Sequence, residues 1–134
     1  MNKMSRQQDM ESSQDLNFGE FKLIDLAGAL KIAEGDLPML KTVAAMLADQ
    51  IAEDLPVLQR HSAAKDSASL VQSAHRLKGS LSYFGSSPAY EACVHLEVLA
   101  QRDSVSEFDS GMIQLVAELD PMLHELARLA CISV

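Results

Sequence analysis

Apolar residues recur at steps of three and four along most of the chain, the spacing that places them on one face of an α-helix. The longest stripe predicts a helix over residues 37–61, with an inward face formed by Leu40, Val43, Leu47, Ile51, Leu55 and Leu58. A shorter stripe predicts a helix over residues 67–83, with Leu70, Leu77, Leu81 and Phe84 turned toward a core. Aromatic residues make up only 4% of the chain, which favours helices over a β-sandwich. The pattern therefore predicts an all-α protein.

Capping signals mark where the predicted helices begin. Asp25, Asp36 and Asp66 each stand just before an apolar stripe, where an aspartate side chain can accept a free backbone N–H of the first helical turn. Ser87 followed by Pro88 likewise marks the start of a fourth helix, which is predicted to end near residue 102. Together with the stripes, these signals predict helices over residues 25–33, 37–61, 67–83 and 88–102.

A fifth helix is predicted after residues 104–107, whose sequence Ser-Val-Ser-Glu is typical of a capping box. Its inward residues are predicted to be Phe108, Ile113, Leu115, Val116 and Leu119. Pro56 is expected to kink the second helix, and Pro121 to kink or split the fifth. Because the connections are short, neighbouring helices should run antiparallel. The predicted architecture is an antiparallel four-helix bundle with an additional N-terminal helix or segment.

The N-terminal region differs from the rest of the chain. Residues 1–15 are polar and lack any apolar period, which predicts a disordered tail. Residues 16–24 carry Phe18 and Phe21 around Gly19, and the sequence leaves open whether they form a short helix or an extended segment over the bundle. No repeat or linker divides the remainder, so residues 16–134 are predicted to form one domain.

Charge and cysteine content narrow the possible partners. A formal net charge of −8 makes a basic nucleic-acid-binding face, or binding to an anionic membrane, a poor expectation. The two cysteines, Cys93 and Cys131, provide neither a disulfide framework nor a zinc pattern. The N-terminus carries no apolar signal segment, and no apolar run could span a bilayer. These features predict a protein of the reducing cytoplasm that binds neither nucleic acid nor membrane.

Opposite its apolar stripe, the third predicted helix carries a set of chemically suggestive residues. This face holds His75, Lys78, Gly79 and Ser82, and it is extended toward the N-terminus by Ala68, Val71 and Gln72. A neutral imidazole is a nucleophile, and a lysine one turn away can help to neutralise a phosphoryl group on the ring. A glycine inside a helix costs about 1 kcal/mol relative to alanine, which the close approach of another molecule would explain. A lone exposed histidine usually has no function, so a functional interpretation of His75 depends on its neighbours Lys78 and Gly79.

The segment Ala-His-Arg-Leu-Lys-Gly-Ser at residues 74–80, followed by Gly85, resembles the signature of histidine-containing phosphotransfer (HPt) domains. The resemblance covers about residues 25–102 and also includes Gly35, Asp36, Asp66, Cys93, Leu96 and Glu97. It implies a four-helix bundle that carries a phosphoryl group between aspartates of response-regulator receiver domains. The implied phosphoacceptor is His75. Lys78 would offset phosphoryl charge and Glu97 would be a structural ion-pair partner, while the partner-facing residues would be Gly79, Ser82, Val71, Gln72 and Ala68.

The same resemblance implies that the chain needs no cofactor of its own. The sequence has no phosphate-binding glycine-rich loop and no aspartate cluster for Mg²⁺, so a receiver domain is expected to supply the Mg²⁺ and the phospho-aspartate. The expected partners are receiver domains and a hybrid sensor histidine kinase, the expected state is a monomer, and ATP-dependent kinase activity is not expected. Two alternatives stay open. One is the phosphoacceptor domain of a chemotaxis-type histidine kinase, and the other is a bundle that binds a receiver without transferring phosphoryl groups.

Overall fold

The computed structural model describes residues 18–133, which form five α-helices, three short 3₁₀ turns and no β-strand. The α-helices are α1 (Leu26–Ile32), α2 (Leu37–Ala63), α3 (Ser67–Leu81), α4 (Pro88–Gln101) and α5 (Phe108–Ala130). The 3₁₀ turns are Phe18–Glu20, Ser82–Phe84 and Val105–Glu107. The predicted disordered tail lies outside the described residues. No helix within residues 18–133 combines the length and apolar character needed to cross a membrane.

Helices α2 to α5 form the bundle. Each packs against the next in the chain, and α5 returns to pack against α2, which closes a ring of four helices. The short α1 lies outside this ring and contacts α2 and the turn that follows α3. The predicted all-α four-helix bundle with an additional N-terminal helix is therefore confirmed.

The predicted helix starts depend on side-chain caps, and most of these are present. Asp25, Asp36 and Asp66 each accept a backbone N–H from the residue three positions on, and Ser87 does the same for α4. The predicted capping box at residues 104–107 is wrong. Backbone groups close a 3₁₀ turn there, with the Glu107 N–H donating to the Ser104 carbonyl at 2.9 Å, and the Ser104 side chain caps nothing.

The predicted inward face of α5 is wrong at two positions. Ile113 is 70% exposed and Val116 is 38% exposed. The buried face repeats instead in steps of three and four through Phe108, Met112, Leu115, Leu119, Met122, Leu126 and Leu129. Because successive residues are about 100° apart on a helix, Ile113 and Val116, each one residue after a member of this series, are turned toward solvent.

The predicted split of α5 at Pro121 does not occur, since a single helix runs from Phe108 to Ala130. Proline cannot donate the backbone hydrogen bond that would otherwise reach the carbonyl four residues earlier. That carbonyl belongs to Ala117, and both residues are exposed. Water can therefore replace the missing donor, and the helix continues. The same holds in α2, which continues through Pro56, where both Pro56 and Ala52 are exposed.

A pair of substitutions in α5 tests this corrected face. Leu115→Ala is expected to lower the free energy of unfolding by about 2–5 kcal/mol, because Leu115 is fully buried and its truncation leaves a cavity. Ile113→Ala should change it by no more than about 0.5 kcal/mol, because that side chain is mostly solvated. Urea unfolding of the two variants measures both values. Equal destabilisation would contradict the assigned face.

The open question about the N-terminal segment is resolved for residues 18–25. After the 3₁₀ turn Phe18–Glu20, the chain is irregular and lies across the end of the bundle, with Phe21 and Ile24 buried. Glu125 of α5 accepts backbone N–H groups from this segment, a contact that no local pattern in the sequence predicts. The segment therefore lies over the bundle as a turn followed by irregular chain.

Candidate functional site

His75 lies in the middle of α3, opposite the side that packs into the bundle. The buried side consists of Leu70, Ala74, Leu77 and Leu81, all fully inaccessible to solvent. The His75 side chain is 69% exposed. The helix is fixed on both neighbouring sides, by α2 and by α4. A rigid, buried stripe thus holds an accessible imidazole at the surface.

Glu97 of α4 joins His75 to Lys78. One carboxylate oxygen lies 2.9 Å from His75 Nδ1, and the other accepts a hydrogen bond from Lys78 Nζ at 2.7 Å. His75 and Lys78 are three residues apart and therefore neighbours on one helix face, so a single carboxylate on the adjacent helix can reach both. Glu97 itself is nearly buried, with 7% of its side chain exposed.

The contact with Glu97 determines which imidazole nitrogen is available for reaction. An ionised carboxylate only accepts hydrogen bonds, so Nδ1 must carry the proton that lies between His75 and Glu97. In a neutral imidazole, the other nitrogen, Nε2, then holds a free lone pair. With Nδ1 bonded to Glu97, Nε2 is the nitrogen of this largely exposed ring that is left to act as a nucleophile.

Each charged group of this cluster stabilises the ionised form of its neighbour. The hydrogen bond with Glu97 raises the pKa of Lys78. Burial acts to raise the pKa of Glu97, but the hydrogen bonds from Lys78 and His75 together outweigh it, and the pKa of Glu97 lies below its usual value. At pH 7 the site therefore holds a carboxylate and an ammonium group.

Cys93 lies one helical turn before Glu97 in α4, and its thiol is unreactive at neutral pH. Burial raises the pKa of its thiol to about 12, and Sγ donates to the Ala74 carbonyl at 3.2 Å. A thiolate is the reactive form of cysteine, so this residue is not a nucleophile at neutral pH. Its contact with the Ala74 carbonyl joins α4 to α3.

Gly79 differs from the other glycines inside the described helices. A side chain at Gly111 would press on Leu99 and Leu96, with a Cβ at 3.0 and 3.1 Å from their methyl carbons. A Cβ at Gly28 would collide with the capping carboxylate of Asp25. A Cβ at Gly79 would meet nothing within 4 Å. Packing among residues 18–133 therefore does not require a glycine at position 79.

The remaining predicted partner-facing residues extend the same surface to different degrees. Ala68 and Gln72 are exposed, and Val71 is half-buried. Ser82 is exposed in the 3₁₀ turn that follows α3, where its Oγ donates to the Gly79 carbonyl at 2.6 Å. The Ser82 proton is thus directed at the backbone, while its oxygen can still accept a hydrogen bond.

The other histidines are not joined to Glu97 by any hydrogen bond that the described residues show. His95 and His124 are exposed and His61 is half-buried. Within residues 18–133, no group of three or more histidine, cysteine or acidic side chains is placed to hold a metal ion.

The sequence offered Glu97 only through the family resemblance, but a physical signal was present. Glu97 directly follows Leu96 in the buried stripe of α4, and an acidic side chain is rarely buried without a partner. Cations on the adjacent antiparallel helix could have been sought from that fact alone. Which cation it would meet depends on how the two helices are rotated against each other.

Comparison with known proteins supports the same conclusion. The sequence model of the Hpt domain family matches residues 42–129. No curated protein and no solved structure gives a significant match to the chain. The family match covers more than half of the 134 residues and includes both α3 and α4, which carry the cluster. The chain therefore belongs to the Hpt domain family, whose role is histidine phosphotransfer in phosphorelays.

Proposed function

We propose that this protein accepts a phosphoryl group on Nε2 of His75 from the phospho-aspartate of a receiver domain, and then passes it to the aspartate of another receiver. The observation that carries this proposal is the contact between His75 Nδ1 and Glu97 at 2.9 Å. It keeps the proton of a neutral ring on Nδ1, so that the Nε2 lone pair is free on a side chain that is 69% exposed. The open space above Gly79 leaves room for a partner to approach the ring.

The transfer step balances without an added base. The Nε2 lone pair attacks phosphorus, the bond between phosphorus and the aspartyl oxygen breaks, and the aspartate leaves as a carboxylate. Nε2 carried no proton, so none has to be removed. The ring becomes cationic and keeps its proton on Nδ1, where the Glu97 carboxylate stabilises it. The reverse sequence transfers the group to the next receiver.

The partner supplies what this chain does not. Receiver domains would provide the Mg²⁺ and the aspartate, and a hybrid sensor histidine kinase would provide the original phosphoryl group. His75, Lys78 and Glu97 all come from one chain, so a monomer is sufficient for the reaction.

Incubation with phosphorylated receiver domains tests the proposal. The protein should acquire an acid-labile, base-stable label, as a phosphohistidine does, and should lose it to a second receiver. Mg²⁺ and ATP alone should give no label. Labelling by ATP alone would contradict the proposal, and labelling that requires a separate kinase domain would favour the chemotaxis-type alternative. Stable binding to receivers without any label would favour the binding-only bundle.

Lys78→Ala is expected to slow phosphotransfer without abolishing it. The ammonium group is one helical turn from His75 and can offset charge on the incoming phosphoryl group. Loss of one such contact in the transition state should slow transfer by about tenfold. Rapid-quench transfer measured at several salt concentrations tests this. Rates equal to those of the wild type at every concentration would exclude a role for Lys78.

Glu97→Gln is expected to affect both rate and stability. The amide can accept a hydrogen bond from His75 or donate one to it, so the ring proton is no longer held on Nδ1. Transfer should therefore slow by about tenfold. The free energy of unfolding at pH 7 should fall by about 1–3 kcal/mol because Lys78 and His75 lose an ionised partner.

The pH dependence of this stability difference has a definite sign. The pKa of Glu97 in the folded protein lies below its ordinary value of 4.5, so its contribution is present above that pH. The contribution is lost as the pH falls through the lower, folded-state pKa. Urea unfolding of Glu97→Gln and wild type across this range should show the two curves converging in acid. A difference that grows in acid would contradict the assignment.

A further inference from the structure

Glu125 is a buried carboxylate whose partners lie in the N-terminal segment. It accepts backbone N–H groups from Lys22, Leu23 and Ile24, at 3.1 to 3.2 Å, and both oxygens take part. Three successive N–H groups directed at one point form an anion-binding concavity. Here the chain fills that concavity with its own side chain.

We call Phe18–Asp25 the strap. It precedes the region matched by the Hpt domain family, which begins at residue 42. Besides Glu125, Arg128 holds the strap from α5. Its Nη2 donates to Glu20 at 2.7 Å, and its guanidinium lies 5.0 Å from the centre of the Phe21 ring. The strap thus lies outside the matched region, and two residues of α5 hold it by side-chain contacts.

The other end of the strap reaches the turn that ends the His75 helix. The Asp25 N–H donates to the Phe84 carbonyl at 2.8 Å. Gly85 has a φ of +84°, and a Cβ there would lie 2.9 Å from the Asp25 Cβ, so the two backbones are in close contact. In the same turn, Ser82 Oγ donates to the Gly79 carbonyl. Contacts therefore run without a break from Glu125 through the strap to the partner-facing surface.

We propose that Glu125 is a positioning residue for phosphotransfer, acting through the strap. With the strap docked, the Ser82–Gly85 turn is fixed and the face beside His75 is preformed for a receiver. With the strap released, the cluster of His75, Glu97 and Lys78 stays intact, because its contacts are made between α3 and α4 alone. The inference rests on the proposed phosphotransfer function and assigns a task to the strap, which lies outside the family match, and to Glu125, which lies within it.

The test compares two donors of different size on Glu125→Ala. A receiver needs the docking face, whereas phosphoramidate is a small donor that needs only an accessible His75. Transfer from the receiver should slow by about tenfold, because slight misplacement of reacting groups is costly. Labelling by phosphoramidate should stay at the wild-type rate. Glu118→Ala is the matched control, since Glu118 lies in the same helix and accepts a hydrogen bond from Gln114 on its exposed side instead of from the strap.

Two further measurements tie the effect to the strap. Amide hydrogen exchange should accelerate in residues 18–33 and 82–85 of Glu125→Ala and remain slow elsewhere in the bundle. Formate can occupy the vacated N–H groups, and it should restore both slow exchange and receiver-dependent transfer. It should do nothing to the Glu118→Ala variant.

Each outcome decides the question. Wild-type transfer in a variant whose strap exchanges rapidly would overturn the inference, as would an equal loss with both donors or a failure of transfer to recover when formate restores slow exchange. If circular dichroism shows Glu125→Ala to be unfolded, Arg128→Ala replaces it and should give a smaller change of the same kind. Unchanged transfer together with faster amide exchange of the strap in Arg128→Ala would also overturn the inference. A wild-type protein that receivers never label would instead refute the proposed function.

Discussion

His75→Gln is expected to abolish phosphoryl acceptance from any receiver and to leave the bundle folded. Glutamine has no nucleophilic ring nitrogen, and among the buried residues near the site Cys93 is held as a neutral thiol by burial, so no neighbour can substitute. The His75 side chain is mostly solvated, and Glu97 keeps its bond to Lys78 when the ring is removed. The free energy of unfolding should therefore change by no more than about 1 kcal/mol.

The measurement is receiver-dependent labelling, with thermal unfolding recorded on the same preparation. His95→Gln is the matched control, because His95 is also an exposed histidine within a helix and, two residues before Glu97, projects from a different face of α4. It should label as the wild type does. Residual labelling of His75→Gln would show that the phosphoacceptor is another residue. Loss of labelling in both variants would show that exposed histidines matter for some other reason.

The sequence allowed the helices to be located because their signals are local. Asp36 and Asp66 cap the helices that follow them, and the stripe through Leu70 and Leu77 faces the core as its spacing predicts. The predicted face of α5 is wrong at Ile113 and Val116 because both are apolar but lie one position off the buried series. That series keeps the spacing of three and four from Phe108 to Leu129.

The candidate site also has one part that the sequence predicts and another that only the structure shows. The relation of His75 to Lys78 and Gly79 follows from helix geometry alone and can be read from the sequence. The contact of Glu97 with both His75 and Lys78 depends on the rotation of α3 against α4, and the contact of Glu125 depends on the path of an irregular segment. Neither is encoded in any local spacing, so both required the three-dimensional structure.

Gly79→Gln is expected to move stability and function in opposite directions. Glycine costs about 0.8–1.0 kcal/mol relative to alanine inside a helix, and glutamine is a good helix former. A Cβ at position 79 meets nothing within 4 Å, and the residue has no left-handed backbone angle, so the substitution should raise the free energy of unfolding by about 0.5–1 kcal/mol.

Transfer from a receiver should fall by up to about a hundredfold in the same variant, because the new side chain fills the space through which phosphorus must reach Nε2. Gly79→Ala separates bulk from helix propensity. Alanine stabilises the helix at least as much as glutamine does but adds a single carbon, so it should transfer much faster than Gly79→Gln. Thermal unfolding and receiver-dependent transfer on one preparation measure both effects. If Gly79→Gln melts below the wild type and transfers normally, Gly79 is a structural residue. If both variants transfer equally slowly, helix rigidity and not access to His75 is what the glycine controls.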